Sequence, residues 1–274
     1  MSTSTNDLRF EESFEPTFTG SRQERKYIRQ SLGEFWEDRL FTDVLYRVQG
    51  GKEANVYCLE AGPKMGRALI AAKVFRPRMF RAMRNDSFYK LGRGIMDGEG
   101  KQVFDGRSLR ALAKKTRYGK RLDTASWVMH EYGLLEELHE AGADVPKPIA
   151  WGPNVILMEF IGDEDGPAPI LSSVRLDRAE AEPVFERILA SVEEMLRCYR
   201  VHGDLSAYNV MLRDGEPVII DFPQAVDAHR HPNAFMVFSR DIDRLCGYFT
   251  KQGVPTDPIG LAHDMWEEWV GFAR

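Results

Sequence analysis

The stretch HGDLSAYNVMLRDGEPVIID, residues 202–221, decides how this chain is read. At its centre Asp214-Gly215 stands between the apolar runs Val210-Met211-Leu212 and Val218-Ile219-Ile220. That pattern is a strong signal for a tight hairpin, because such turns need residues that tolerate positive φ. Folding about the turn brings Asp221, six residues after it, beside Asn209, five residues before it. Asp204 precedes Asn209 in D-x-x-x-x-N spacing. Two oxygen ligands therefore converge at one end of a hairpin, as a hard cation such as Mg²⁺ requires when phosphate oxygens complete its shell. Taken singly, Asp204 reads as a helix cap, Asn209 as a turn residue and Asp221 as a strand terminus. Together, on a hairpin with hydrophobic arms, they point to phosphate chemistry.

Working towards the N-terminus, Lys73 lies inside the apolar strand Ala71-Ala72-Lys73-Val74-Phe75. An ammonium there needs an anion or a route to water. Trp127, Leu134, Leu135 and Leu138 mark one face of a helix expected from about Thr124 to Ala141, and Glu131 falls on the same face. A Lys73–Glu131 pair is the expectation. Between two short strands, Gly50-Gly51-Lys52-Glu53-Ala54-Asn55-Val56 has the place of a phosphate-covering loop. It has neither a full G-x-G-x-x-G pattern nor the Lys-Ser/Thr ending of a Walker loop, so by itself it also reads as a plain glycine-containing hairpin.

Composition narrows the class. The 274 residues are 43% hydrophobic and 29% charged, with a formal net charge of -5, which is ordinary for a globular protein with a real core. The charge is uneven: Arg76 to Arg121 carries 14 Lys/Arg against 4 Asp/Glu. A basic stretch on an acidic chain attracts polyanions. Cys58, Cys198 and Cys246 form no CxxC pair, which argues against a zinc site or a disulfide framework and for a reducing, cytoplasmic setting. The first residues lack the plan of a signal peptide, and no run reaches the roughly 18 apolar residues of a membrane helix.

The order of elements predicts an α+β chain. Residues 1–43 are an N-terminal extension with one amphipathic helix between Ser21 and Leu40, its apolar positions Tyr27, Ile28, Leu32, Phe35 and Trp36. Residues 44–161 form a small β-rich N-lobe with strands Val44–Val48, Asn55–Leu59, Ala68–Phe75 and Val155–Ile161, interrupted by a long, weakly periodic basic insertion at 76–121. Residues 162–274 form a mainly helical C-lobe, with helices Asp177–Tyr199, one opening at Ser239, and Leu261–Phe272. No internal repeat is visible.

Together the segments resemble the RIO family of atypical serine protein kinases and ATPases. The resemblance rests on GKEANVY at 51–57, VPKPIA at 145–150, MEFIG at 158–162, HGDLSAYNVML at 202–212 and IDFPQAV at 220–226, with HPNA at 231–234 and SRDI at 239–242 also fitting. It implies a two-lobed protein-kinase-like fold with a shortened C-lobe, and ATP bound between the lobes with Mg²⁺, or Mn²⁺ in its place. It makes Asp204 the catalytic aspartate, Asn209 a metal ligand, and Asp221 both a metal ligand and a candidate phosphorylated residue. Lys73 becomes the phosphate lysine with Glu131 as its helix partner. Gly51, Lys52, Glu53, Ala54, Asn55 and Val56 would cover the nucleotide. Met158 would back the adenine pocket, and Glu159, Phe160 and Ile161 would form the hinge. Three departures stand out: Gly203 replaces the arginine of the ordinary HRD motif, Asp221-Phe222-Pro223 replaces DFG, and only 53 residues follow Asp221. The last leaves no APE motif and little room for a peptide-docking surface, and the residues before Val44 leave no room for a winged-helix domain.

The expected function is serine autophosphorylation or slow ATP turnover, with ribosomal or other RNA met through 76–121, where Phe80, Phe88, Tyr89, Phe104 and Tyr118 interleave the basic residues. The protein substrate stays open. Two alternatives compete. One is a small-molecule phosphotransferase of the aminoglycoside and choline kinase type, which shares an HGDL-x-x-x-N loop; the other is an RNA-binding module switched by nucleotide. Blander readings suit other residues: His202 orients the loop, His229 and His231 give little support for a metal, Trp266 and Trp269 pack, and Met79 and Met83 carry no cofactor signal.

Overall fold

The computed structural model describes residues 14–51, 54–76, 105–114 and 116–271. Lys52, Glu53 and most of the basic insertion, including Phe80, Phe88, Tyr89, Phe104, Met79 and Met83, lie outside the described residues.

Helix α1 (Arg22–Glu37) starts at Ser21, whose hydroxyl accepts from the Glu24 N–H. Its buried residues Ile28, Leu32 and Phe35 lie on one helical face. They cover the outer face of an antiparallel sheet built from β1 (Phe41–Gly50), β2 (Ala54–Ala61), β3 (Leu69–Phe75), β4 (Pro148–Gly152) and β5 (Val155–Glu159), in spatial order β1-β2-β3-β5-β4. The amide of Asn154, in the β4–β5 turn, donates to the Tyr27 and Ser31 hydroxyls and fixes the helix to the sheet.

Strand alternation sorts the functional side chains. Ile70, Ala72 and Val74 face α1 with Tyr57, Leu59, Val155 and Leu157. Ala71, Lys73 and Phe75 therefore face the other way. Lys73 stands opposite Val56 on β2 and Ile156 on β5.

The inner face is covered by α3 (Arg117–Glu140), preceded by α2 (Gly106–Ala113). The C-terminal part of the long, weakly periodic insertion is helical, and α3 begins seven residues before Thr124. The caps were present: the Asp105 carboxylate accepts from the Arg107 and Ser108 N–H groups, and the Thr116 hydroxyl from Gly119 N–H. Gly119 permits the close packing, since a Cβ there would lie 2.1 Å from the Ala111 carbonyl oxygen. α3 ends as expected, with Gly142 at φ 91° just after the helix.

After β5 come the short strands β6 (Gly162–Asp163) and β7 (Gly166–Pro167) and then helix α4 (Arg178–Arg197), opened by a reciprocal Asp177–Glu180 capping box. The chain continues through β8 (Arg200–Val201), β9 (Val210–Arg213), β10 (Glu216–Ile219), β11 (Val226–Asp227), α5 (Ala234–Lys251) and α6 (Pro258–Trp269). Helix α5 opens five residues before Ser239, because Ala234, Val237 and Phe238 already belong to its buried face. Helix α6 begins at Pro258 behind an Asp257 cap, three residues earlier than expected. Ile188, Val192, Met195, Leu205, Val210, Ile219, Phe238, Leu245, Phe249 and Trp266 belong to the core beneath. Trp266 and Trp269 both pack there as expected, and the Trp269 ring also stacks under the Arg197 guanidinium at 4.1 Å. All three cysteines are free thiols. Among the described residues no helix is long and apolar enough to cross a membrane.

Candidate active site

The hairpin read from Asp214-Gly215 forms as expected. Asp214 and Gly215 have φ of 54° and 85°, and Arg213 pairs with Glu216 across them. At the open end the Ile220 N–H donates to the Asn209 carbonyl at 2.9 Å, which sets Asp221 next to Asn209. Asp221 itself has φ 70°, a strained conformation for a residue with a side chain, of the kind that functional sites retain.

Lys73 is shared by two carboxylates. Its Nζ donates to Glu131 Oε1 at 2.5 Å and to Asp221 Oδ1 at 2.6 Å. Lys73 and Glu131 are buried, whereas the Asp221 side chain is 48% exposed towards the cleft. Burial works against the charge on Lys73, but the Asp221 and Glu131 carboxylates outweigh it and raise the lysine's pKa. The Lys73 charge in turn holds Asp221 below its usual value despite desolvation. The Lys73–Glu131 pair is thus present as expected; the direct Lys73–Asp221 bond was not foreseen.

The loop carrying Asp204 is fixed from below. His202 is buried; its Nδ1 accepts from the Asp204 N–H at 3.2 Å, so its Nε2 must carry the proton that meets the Ile220 carbonyl at 3.1 Å. Burial lowers its pKa, which suits a neutral ring in a structural role. The Asn209 side-chain amide donates to the Asp204 carbonyl at 2.8 Å. The amide nitrogen faces the loop, so the side-chain oxygen is the end that can ligate a cation.

That donor set, one carboxylate and one carboxamide oxygen at the mouth of a cleft, fits a hard cation that keeps waters and phosphate oxygens in its shell. Among the described residues no cluster of three or more His, Cys, Asp and Glu could hold a metal alone.

The remaining expected site residues divide. Cys58, Ala71 and Phe160 form an apolar patch on the inner face of the sheet, flanked by Tyr46, Val48, Val56, Leu69 and Met158. Such a surface suits a flat aromatic ring. Ile161 is buried, and Ala54 packs with Phe75, Val128 and Ile156. The Gly51 N–H donates to the Ala54 carbonyl at 2.9 Å. Two side chains turn elsewhere. Asn55 is buried and donates to the Tyr57 hydroxyl at 2.8 Å. Glu159 is held by Arg213 at 2.9 Å and accepts from the Lys147 N–H at 3.2 Å.

Sequence reasoning missed the residues surrounding Asp204. Arg244 Nη1 donates to Asp204 Oδ1 at 2.7 Å, and Gln224 Nε2 lies 3.4 Å from Oδ2. Asp241 accepts from the Gly203 N–H at 2.7 Å, and Arg240 donates to the Gly203 carbonyl. Burial lifts the Asp241 carboxyl to about 6. Asp241 and Arg240 fell in the SRDI segment, but nothing in it signalled what they touch.

The RIO domain family model matches residues 100–259, the segment that supplies Glu131, Asp204, Asn209 and Asp221. The RIO-type serine/threonine-protein kinase Rio1 of Haloferax volcanii is 33% identical over 214 residues, 78% of this chain and 66% of that protein. Rio1 of Thermoplasma acidophilum is 33% identical over 193 residues, 70% of this chain and 91% of its own length. Human serine/threonine-protein kinase RIO1 is 26% identical over 220 residues, of which this chain spans 34% of the full length.

Proposed function

The chain belongs to the RIO family, and from that premise we propose that it is an ATP- and divalent-cation-dependent serine kinase with ATPase activity. The observation that carries the reading is the sharing of one ammonium, on Lys73, by carboxylates from α3 and from the end of the β9–β10 hairpin. Three segments remote in sequence thereby meet at one ammonium.

In this reading ATP places its adenine against the patch around Ala71, Met158 and Phe160, next to the connection Glu159–Ile161 between the lobes. The segment Gly51–Val56 would cover the phosphates. Lys73, oriented by Glu131, draws on phosphate oxygens. Asn209 and Asp221 hold the cation, Mg²⁺ or Mn²⁺, which when bound neutralises developing phosphate charge. Asp204 accepts the proton of a serine hydroxyl or a water. Positioning and charge stabilisation are most of what phosphoryl transfer asks of a protein. Autophosphorylation and slow, switch-like turnover, including phosphorylation of Asp221 itself, are compatible outcomes. The basic segment 76–121 would supply contacts to RNA or a ribosomal particle in the cytoplasm.

The test is ATP turnover and autophosphorylation in wild type, Asp204→Ala and Asp221→Asn. Loss of a general base should cost about 10²–10⁴-fold in rate. Wild-type turnover in both variants would overturn the assignment.

A further inference from the structure

We propose that Arg244 is a positioning residue for the phosphoryl-transfer step: it fixes the Asp204 carboxylate so that Oδ2 faces the acceptor hydroxyl. The inference rests on the kinase reading and adds to it a residue from outside the catalytic loop.

Arg244 belongs to a helix that grips the loop at three adjacent points. Asp241 accepts from the Gly203 N–H, Arg240 donates to the Gly203 carbonyl, and Arg244 donates to the Asp204 carboxylate. Arg240 and Arg244 are one turn apart and so share a helical face. The helix itself is anchored by Ile242, Leu245, Cys246 and Phe249 in the core. Arg244 therefore reaches Asp204 from a rigid base.

The two carboxylate oxygens of Asp204 differ. Oδ1 takes a charge-assisted bond of 2.7 Å from Arg244, at the short end for such contacts. Oδ2 has only the Gln224 amide at 3.4 Å, beyond the usual N–H···O range. Without Arg244 the carboxylate could turn about its broad terminal torsion. With it, Oδ2 is the oxygen left for a hydroxyl. In the step, the acceptor O–H proton passes to Asp204 Oδ2 as the acceptor oxygen bonds to the γ-phosphorus. The bond from that phosphorus to the β,γ-bridging oxygen breaks, and its electron pair leaves with ADP. Because the transition state is loose, orientation of the base matters more than its strength.

Exposure separates this role from a structural one. The side chains of Arg244 and Asp204 are 43% and 40% exposed, and ion pairs so open to water contribute little to folding. Arg244→Ala should then keep the wild-type melting temperature while losing rate. The experiment measures ADP release by wild type, Arg244→Ala, Arg244→Lys and Asp204→Ala, with melting curves and ATP KM for each. Arg244→Ala is expected to lose about 10–100-fold in kcat, with ATP KM changed by less than about two-fold. Millimolar guanidinium should restore part of that rate but none in Asp204→Ala. Arg244→Lys should fall between, having charge without the planar fork. Wild-type kcat in Arg244→Ala, or a loss that guanidinium does not relieve in a variant with unchanged melting, would overturn the inference alone. An inactive wild type would overturn the kinase reading beneath it.

Discussion

Lys73 and Asp221, 148 residues apart in sequence, share a 2.6 Å hydrogen bond across the cleft. The lysine is also held by Glu131 on the other side, so one cation keeps two carboxylates compatible. Asp221 meets it from a left-handed backbone, φ 70°. The hairpin pairing behind it and the Lys73 bond in front together hold that conformation.

Removing the cation should therefore damage more than ATP binding. Lys73→Met leaves Glu131 buried without this partner, and breaking a buried pair from one side typically costs about 3–5 kcal/mol. Denaturant unfolding should show a loss of that order together with loss of turnover. The double variant Lys73→Met/Glu131→Leu should recover much of the stability and none of the activity. Equal stability of the single and double variants would show that the pair is not strained by losing one member.

Gly203 predicts a backbone effect. Its φ is 82°, and a Cβ there would lie 2.2 Å from the Gln224 carbonyl oxygen. The position that holds arginine in an HRD motif therefore has no room for any side chain here. Gly203→Ala should cost at least about 2 kcal/mol from the left-handed backbone and the clash. It should also lower kcat more than ATP affinity, because the same shift displaces Asp204. Melting and kinetics close to wild type would mean that Gln224 yields easily.

The parts of this site that were legible beforehand were local or carried a chemical contradiction. Asp214-Gly215 between apolar runs specifies a hairpin from adjacent residues alone, and the hairpin brings Asn209 to Asp221. Lys73 in an apolar strand and Glu131 on an apolar helical face each demanded a partner. Arg244 and Gln224 made no such demand: a polar residue at a helix surface or in a loop is unremarkable until the fold puts Asp204 beside it. Helix α2 and the start of α3 were missed because Lys and Arg dominate 105–121, and their caps, Asp105 and Thr116, are also ordinary loop residues. The directions of Asn55 and Glu159 were illegible because their partners, Tyr57 and Arg213, come from alternation within one strand and from a distant hairpin.

Asp241 predicts a pH dependence. Burial, only partly offset by the Gly203 N–H and Arg240, raises its pKa from 3.8 to about 6. Between those values the folded chain keeps a proton that the unfolded chain has released. This residue's contribution to stability thus declines as pH rises from about 4 to about 6, and the penalty is complete above that. Asp241→Asn has no charge to bury and can still accept from Gly203. Urea midpoints should show the variant gaining on wild type across that window. His202 and Asp221, whose lowered pKa values act in the opposite sense, cancel in the difference. A difference that stays constant with pH would remove Asp241 as its source.

The helix bearing Glu131 is tied to the strand that leads into the Asp204 loop by a cluster of charges. Six residues beyond Glu131 on α3, the Glu137 carboxylate meets Arg200 at 2.9 and 3.4 Å, and Arg200 also reaches Asp227 at 3.2 Å. Arg200 is two residues before His202, so this triad ties the lysine-orienting helix to the strand that leads into the Asp204 loop. The groups are partly exposed; Glu137→Gln should therefore cost less than about 1 kcal/mol of global stability. Its effect should appear locally, as faster amide exchange in the C-terminal half of α3 and a higher ATP KM, because Glu131 is then held less firmly against Lys73. Salt should reproduce the effect in wild type, since about 1 M ionic strength shortens the screening length to about 3 Å. Unchanged exchange in residues 131–140 of Glu137→Gln would show that the packing of Leu135 and Leu138 fixes the helix without the triad.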